Sequence, residues 1–285
     1  MNREELGSFL RSRRERVSPG EVGLAPGGRR QTPGLRREEV ALLAGISVDY
    51  YIRLEQGRGP QPSAQVLAAL SRTLRLSGDE HDYLLRMGDQ APAPAGSSPE
   101  VPANALRLLE RLDEVPAMIV NTRGDLLAWN EMLVALIGDP ADIPRRERNT
   151  LRWLFGTEPN LPHNRVELAR QAVADLRASG RYPDDPGVRQ LVDELTSTSR
   201  LFAELWAARE VEVQRTMTKR TTHPVLGEME LDCEVLSLPG GDHRVILYTA
   251  APGTPTHDAL KRLRSSRGRP PRHAGCVIPT GPADR

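Results

Sequence analysis

Along the first ninety residues the apolar positions recur at helical spacing. Leu6, Phe9 and Leu10 fall at i, i+3 and i+4, with Val17 two turns after Leu10. A long loop rich in glycine and proline follows, and Thr32-Pro33 then offers an N-cap with proline at the first helical position. Val40, Leu43 and Ala44 form one stripe of the second helix, which stops at Gly45. Ser47 caps a third helix that turns Tyr51 and Leu54 inward and ends at Gly57. Ser63 caps a fourth, with Val66, Leu67, Leu70 and Leu74, and Ser77 with Glu80 has capping-box spacing ahead of a fifth carrying Leu84 and Met87. Five short helices without an alternating stretch predict an all-α domain over 1–90.

Residues 90–103 read QAPAPAGSSPEVPA, with almost nothing to bury, so 91–103 is expected to be a stiff linker. Beyond it the pattern changes. Leu106, Leu109 and Leu112 suggest a helix, and 117–121 and 125–129 read as two strands around an Arg123-Gly124 turn. The stretch 146–209 is mostly helical, with Val166, Ala169, Val173 and Leu176 on one face. Met229, Leu231, Cys233 and Val235 then alternate with Glu228, Glu230, Asp232 and Glu234, the signature of a half-buried antiparallel strand. Pro239-Gly240-Gly241-Asp242 turns the chain into a partner strand over 244–249. The second domain, 104–252, is therefore expected to be α+β, with an antiparallel sheet whose strands come from both ends of the segment. From 253 to 285 glycine, proline, serine and arginine dominate, with no periodicity beyond the short segment Asp258–Leu263, which predicts a mostly disordered basic tail.

Composition narrows the function classes. The 285 residues are 38% hydrophobic and 27% charged, enough apolar material for two cores. No apolar run approaches the roughly 18 residues that span a bilayer, and no apolar secretory segment opens the chain. Two cysteines 43 positions apart, Cys233 and Cys276, make neither a disulfide framework nor a metal clip, so the expected compartment is the reducing cytoplasm. The net charge of +1 conceals an asymmetry: residues 1–75 hold thirteen arginines against eight acids. A nucleic-acid face is compatible with that distribution. Of the 39 basic residues only Lys219 and Lys261 are lysines.

The most informative stretch is LRREEVALLAGISVDYYIRLEQG, residues 35–57. Ala41 permits two helices to cross closely, Gly45 relieves the turn, and Ile46 plugs the corner, which is the arrangement of a helix-turn-helix. Helical hairpins of this kind also occur away from DNA. By contrast GxSxG, P-loop, HExxH and GxGxxG motifs and clustered His/Cys ligands are missing from the sequence, which predicts no catalytic residue, cofactor or metal.

Residues 1–90 resemble helix-turn-helix domains of the XRE class, the phage repressor/Cro-like fold. The phrases RRQTPGLRREEVALLAGIS, YYIRLEQGRG and PSAQVLAALSRTLRL are similar to an actinobacterial branch in which the DNA-binding domain precedes an MmyB-like ligand-binding domain. The second half fits as well, through GDLLAWN at 124–130, TKRTTHPVLGEMELD at 218–232 and VILYTAAPGTP at 245–255. Cys233 departs from the pattern, where the family usually carries an aromatic residue.

The resemblance implies a transcriptional regulator that binds double-stranded DNA through a recognition helix at 47–55. Ser47, Val48, Asp49, Tyr50 and Arg53 are then the positions facing base edges. Arg53 suits guanine, whose O6 and N7 a guanidinium reaches together. Asp49 either accepts from a cytosine amino group or orients an arginine; Tyr50 offers a hydroxyl to phosphate or its ring to a thymine methyl. Arg36 and Arg37 are placed to hold phosphates with the helix N-terminus, the alternative for each being a solvated charge. Arg29 and Arg30 in the long loop either reach DNA or face solvent, and Glu55 is expected to pair with an arginine inside the domain. A single domain offers a short readout, so a homodimer on a two-fold operator is expected.

For the second half the resemblance implies a PAS-like fold with a cavity for a small hydrophobic or fatty-acid-like effector. Trp129, Trp153, Phe155, Phe202, Leu205 and Trp206 are candidates to line or close it, against the default of simple core packing. Lys219, Arg220 and His223 are a compact cationic group that either anchors an acidic head group or lies on the surface. The alternative to a sensor is a scaffold whose second domain binds a partner protein, with the acidic face of 228–234 as its contact.

Overall fold

The computed structural model describes residues 3–24, 34–90, 100–156, 161–239 and 242–265. They form two compact units. The first takes in Met1–Pro94 with two short later segments, Arg177–Arg181 and Ala207–Val213; the second takes in the remainder.

The first unit is helical: α1 Arg3–Arg16, α2 Arg37–Ala44, α3 Val48–Glu55, α4 Ala64–Thr73 and α5 Gly78–Met87. Its core gathers Leu6, Phe9 and Leu10 of α1 with Val40, Ala41, Tyr51, Leu54, Leu67, Leu70, Tyr83 and Leu84, all but fully buried. Most of these stand at the expected helical spacing, but on α2 the inner stripe is Val40 and Ala41, while Leu43, expected inside, is exposed and Ala44 is half-buried. Ser47, Ser63 and Ser77 each accept a backbone N–H three residues on, from Tyr50, Val66 and Glu80. The second helix starts later than expected: its N-cap is Arg36, while Thr32 and Pro33, like Arg29 and Arg30, lie outside the described residues.

The second unit is built on a five-stranded, wholly antiparallel sheet of order β2-β1-β5-β4-β3: β1 Ala117–Val120, β2 Leu126–Trp129, β3 Thr216–His223, β4 Gly227–Ser237 and β5 Arg244–Thr249. Its strands come from both ends of the segment, as the alternation predicts. One face packs Ala117, Ile119 and Val245 against Ala105 and Leu109 of α6, Ala103–Arg111. The opposite face meets Leu133 of α7, Glu131–Ile137, in one cluster, and in another Met229 and Leu231 pack with Met132 and Leu136. A separate helical core unites α8 Thr150–Phe155, α9 Arg165–Ala178, α10 Pro186–Thr198 and α11 Arg200–Ala207.

Two expectations need correcting. The folded part does not stop at 252: α12, Pro255–Ser265, buries Ala259, Leu260 and Leu263 against Met132, Leu136 and Leu231. It extends the short periodic segment at Asp258–Leu263 by a few residues at each end. The strand β3 was not predicted at all, because TMTKRTTH has polar residues on both faces. Residues 91–99, which hold most of the expected linker, and the tail from 266 lie outside the described residues.

Candidate DNA-binding and ligand-binding sites

The turn between α2 and α3 is formed by backbone chemistry that needs glycine. Gly45 has φ of +68°, where a side chain would be strained. Its N–H donates to Leu42 O at 3.2 Å and that of Ile46 to Ala41 O at 3.0 Å, so both helix-ending carbonyls are used. A second glycine fixes where α3 ends. A Cβ on Gly7 of α1 would fall 2.5 Å from the carbonyl oxygen of Glu55, so α1 and α3 touch backbone to backbone there.

Beneath α3 lies a buried ion cluster. The Glu55 carboxylate, with no exposed side-chain area, accepts from Arg14 Nε at 2.5 Å and from Arg37 Nε at 2.7 Å. Arg14 also donates to Leu35 O at 3.0 Å. Burial on its own raises the Glu55 pKa; the two guanidinium groups outweigh it and hold the carboxyl below the usual carboxylate range. Glu55 thus locks the last turn of α3 to α1 and to the start of α2. In the same unit Glu5 is buried against Arg177, Arg209 at 2.8 Å and the Tyr83 hydroxyl at 2.9 Å.

With Tyr51, Leu54 and Glu55 buried on one face of α3, Ser47, Val48, Asp49 and Arg53 are exposed on the other, and Tyr50 is half-buried. Arg53 and Asp49 form an ion pair one turn apart on the open surface. Arg36 is exposed, its N–H donating to Glu39 at 2.7 Å, whereas Arg37 is half-buried through its hold on Glu55. The sequence-predicted readers therefore lie together on one accessible helix face, and one of the two expected clamps also serves the domain interior.

The second site is a cavity of about 180 Å³ between the sheet and helices α8 and α9. Register puts Met217, Lys219, Cys233 and Tyr248 on one face, since Met217 pairs with Cys233, Cys233 with Tyr248, and Lys219 with Leu231 two residues before Cys233. Met118 and Ile246 continue the floor; Trp153, Leu154, Leu161 and Leu168 make the walls. The polar side chains that line it are mostly engaged: Thr150 donates to Gly124 O at 3.2 Å, Trp153 Nε1 to Glu147 O at 2.8 Å, and Gln214 to the Met217 sulfur at 3.0 Å. The Lys219 ammonium and the Tyr248 hydroxyl have no hydrogen-bond or ion-pair partner among the described residues; Nζ lies 5.8 Å from the Tyr248 ring centre. Burial depresses the Lys219 pKa, raises that of Tyr248, and pushes the Cys233 thiol up to about 12.

Of the expected pocket residues, Trp153 and Lys219 line this cavity. Phe155, Phe202, Leu205 and Trp206 pack in the helical core instead, Phe202 against Phe155 at 5.0 Å and stacked on Trp206 at 5.8 Å. Trp129 sits under the Arg148 guanidinium in the sheet cluster. The expected cationic group is not one group. Arg220 alternates to the exposed side and pairs with Glu230 at 2.8 Å; His223 is buried, accepting the N–H groups of Val225 and Leu226 on Nδ1 at the β3–β4 turn. Tyr248, Met118 and Ile246 were not singled out from sequence, because a pocket face and a core face carry the same alternation. Among the described residues no cluster of His, Cys, Asp and Glu suits a metal, and no helix is long and apolar enough to cross a membrane.

Over residues 5–84 the chain matches the helix-turn-helix domain family, and over 101–263 the family of MmyB-like transcription regulator ligand binding domains. No curated protein matches it. An exposed helix on a small-residue corner and an apolar cavity against a sheet are what those two domains require. The chain belongs to the MmyB-like transcription regulators, DNA-binding proteins that join a helix-turn-helix to a ligand-binding domain.

Proposed function

We propose that this regulator reads a two-fold operator as a homodimer and that a small hydrophobic or fatty-acid-like effector, held in the cavity of the second unit, sets its operator affinity. The observation that carries the DNA reading is the division of α3, with Tyr51, Leu54 and Glu55 buried while Ser47, Val48, Asp49 and Arg53 stay open. In this reading Arg53 contacts a guanine edge. It exchanges its pair with Asp49 for that contact, so Asp49 keeps the guanidinium aimed before binding. Tyr50, Arg36 and Arg37 contact the backbone, and Arg37 transmits the position of Glu55 to the phosphate it meets. An effector acts by preferring one of two arrangements of the protein, and its differential affinity bounds the change in operator affinity. The largely apolar cavity favours a small molecule over a protein partner for the second unit.

The test is genome-wide footprinting with the purified full-length protein. The expected result is a set of protected sites related by two-fold symmetry, with half-site centres about one helical turn apart. Protection of single half-sites would remove the dimer, and the lack of any protected site at low salt would remove the reading of α3.

A further inference from the structure

The cavity in the second unit holds a chemical anomaly. A lysine amine faces apolar walls with no carboxylate to neutralise it, and a phenol hydroxyl beside it is also without a partner among the described residues. The residue type matters as much as the place. In a chain where 37 of 39 basic residues are arginine, the cavity has one of the two lysines. A guanidinium is the better partner for a carboxylate, since it is planar, bidentate and always charged. A primary amine does one thing that a guanidinium does not: it sheds its proton and attacks a carbonyl carbon.

We propose that Lys219 captures its effector covalently and reversibly, as an imine with a small apolar aldehyde or ketone. This rests on the reading of the cavity as the effector site and names the chemistry of that effector's head. The neutral amine adds to the carbonyl carbon; a C–N bond forms, the carbonyl π pair moves to oxygen, and one amine proton passes to that oxygen. The resulting carbinolamine then loses its hydroxyl with the second amine proton as water, leaving a C=N bond. Nothing is oxidised or reduced. Tyr248, whose phenol burial keeps protonated, supplies a hydrogen bond to the departing oxygen. Burial also favours the neutral amine of Lys219, while it keeps the neighbouring Cys233 as an unreactive thiol. Apolar walls retard hydrolysis by limiting water. At about 180 Å³ the cavity is smaller than the roughly 300–1,000 Å³ of drug-sized sites, and holds a chain of about six heavy atoms at roughly 30 Å³ each.

Hexanal is therefore the probe. The full-length protein is incubated with it and cyanoborohydride, and the adducts are mapped by peptide mass spectrometry. Lys261, exposed on α12, is the internal reference amine. The expected result is one hexyl group on Lys219, formed at least about tenfold faster than on Lys261. Lys219→Arg should abolish it with the circular dichroism unchanged, and Tyr248→Phe should slow it. Equal labelling of both lysines overturns the proposal. Hexanoate or hexanol quenching tryptophan fluorescence with no adduct at Lys219 overturns the imine and keeps the cavity as a ligand site. Failure of all three compounds to bind overturns both.

Discussion

The two units treat a charged side chain drawn away from water in opposite ways. In the first, Glu55 is enclosed and meets two guanidinium groups, at 2.5 and 2.7 Å. In the second, half-buried Lys219 has its amine 5.8 Å from the Tyr248 ring centre, with no acceptor among the described residues. A buried charge without compensation costs several kcal/mol, so a fold tolerates it only where something else is gained. Compensation of the Glu55 charge ties α3 to α1 and α2 and makes a rigid platform, which a reading helix needs. Incomplete compensation in the cavity leaves chemistry free for a molecule from outside. The largest expected effect tests the first half of that contrast. Glu55→Ala leaves Arg14 buried with its main partner gone, and should cost about 3–5 kcal/mol in urea unfolding. Lys219→Met should be neutral or stabilising in the same assay, and a loss matching that of Glu55→Ala would erase the distinction.

Acid should expose the same asymmetry. The folded pKa of Glu55 lies below its unfolded value, so its contribution is fully present above the ordinary carboxylate range and is lost as pH falls through the depressed value. The stability gap between wild type and Glu55→Gln is therefore expected to shrink as pH drops below about 4. For Lys219 the folded pKa is depressed too, but the group is a base. Its burial costs stability while the unfolded amine is charged, and that cost persists through neutral pH. Unfolding curves that keep the Glu55→Gln gap constant into strong acid would contradict the assignment.

Next in size is a steric change that breaks the platform without touching charge. Gly7→Ala pushes a methyl into the Glu55 carbonyl, a backbone atom that yields only if α3 moves. The expected cost is about 1–3 kcal/mol in stability, with operator affinity falling as the helix is displaced. Arg53→Ala should lose about 1–3 kcal/mol of operator affinity with little change in stability, since its pair with Asp49 is exposed. Gel shifts on operator and random duplex separate the two. Gly7→Ala weakens both, while Arg53→Ala weakens the operator alone.

These two variants also mark how far the sequence could be read. The corner Ala41, Gly45 and Ile46, the Ser47 cap and the inward Tyr51 and Leu54 are local in the chain, so spacing alone placed them. The contact of Gly7 with Glu55 joins residues 48 apart in sequence, and nothing near Gly7 announces it. In the second unit the same limit applied more widely. β4 was legible because acids alternate with apolar residues, but β3 pairs along its whole length with β4 and has no such code of its own. Large aromatic residues drew attention to Phe155, Phe202 and Trp206, which fill a core, while the cavity floor is made by Met118, Met217, Cys233 and Ile246. Size signals burial. It does not distinguish a wall from a filled interior, and only strand register brought Lys219 and Tyr248 to one face.

The smallest effect bears on that difference between a filled interior and a wall. Leu54→Ala removes a buried side chain from the core of the first unit, and should cost about 2–5 kcal/mol because a packed interior collapses little. Cys233→Ala removes a single sulfur atom whose hydrogen bond to Leu231 O is a long one, at 3.8 Å. One side of that atom already borders the void, so fewer packing contacts are there to lose. A cost of about 1 kcal/mol or less is expected, together with room for a probe longer than hexanal at the same site. A penalty as large as that of Leu54→Ala would mean that Cys233 belongs to a tight core and that the space beside Lys219 is closed to ligands.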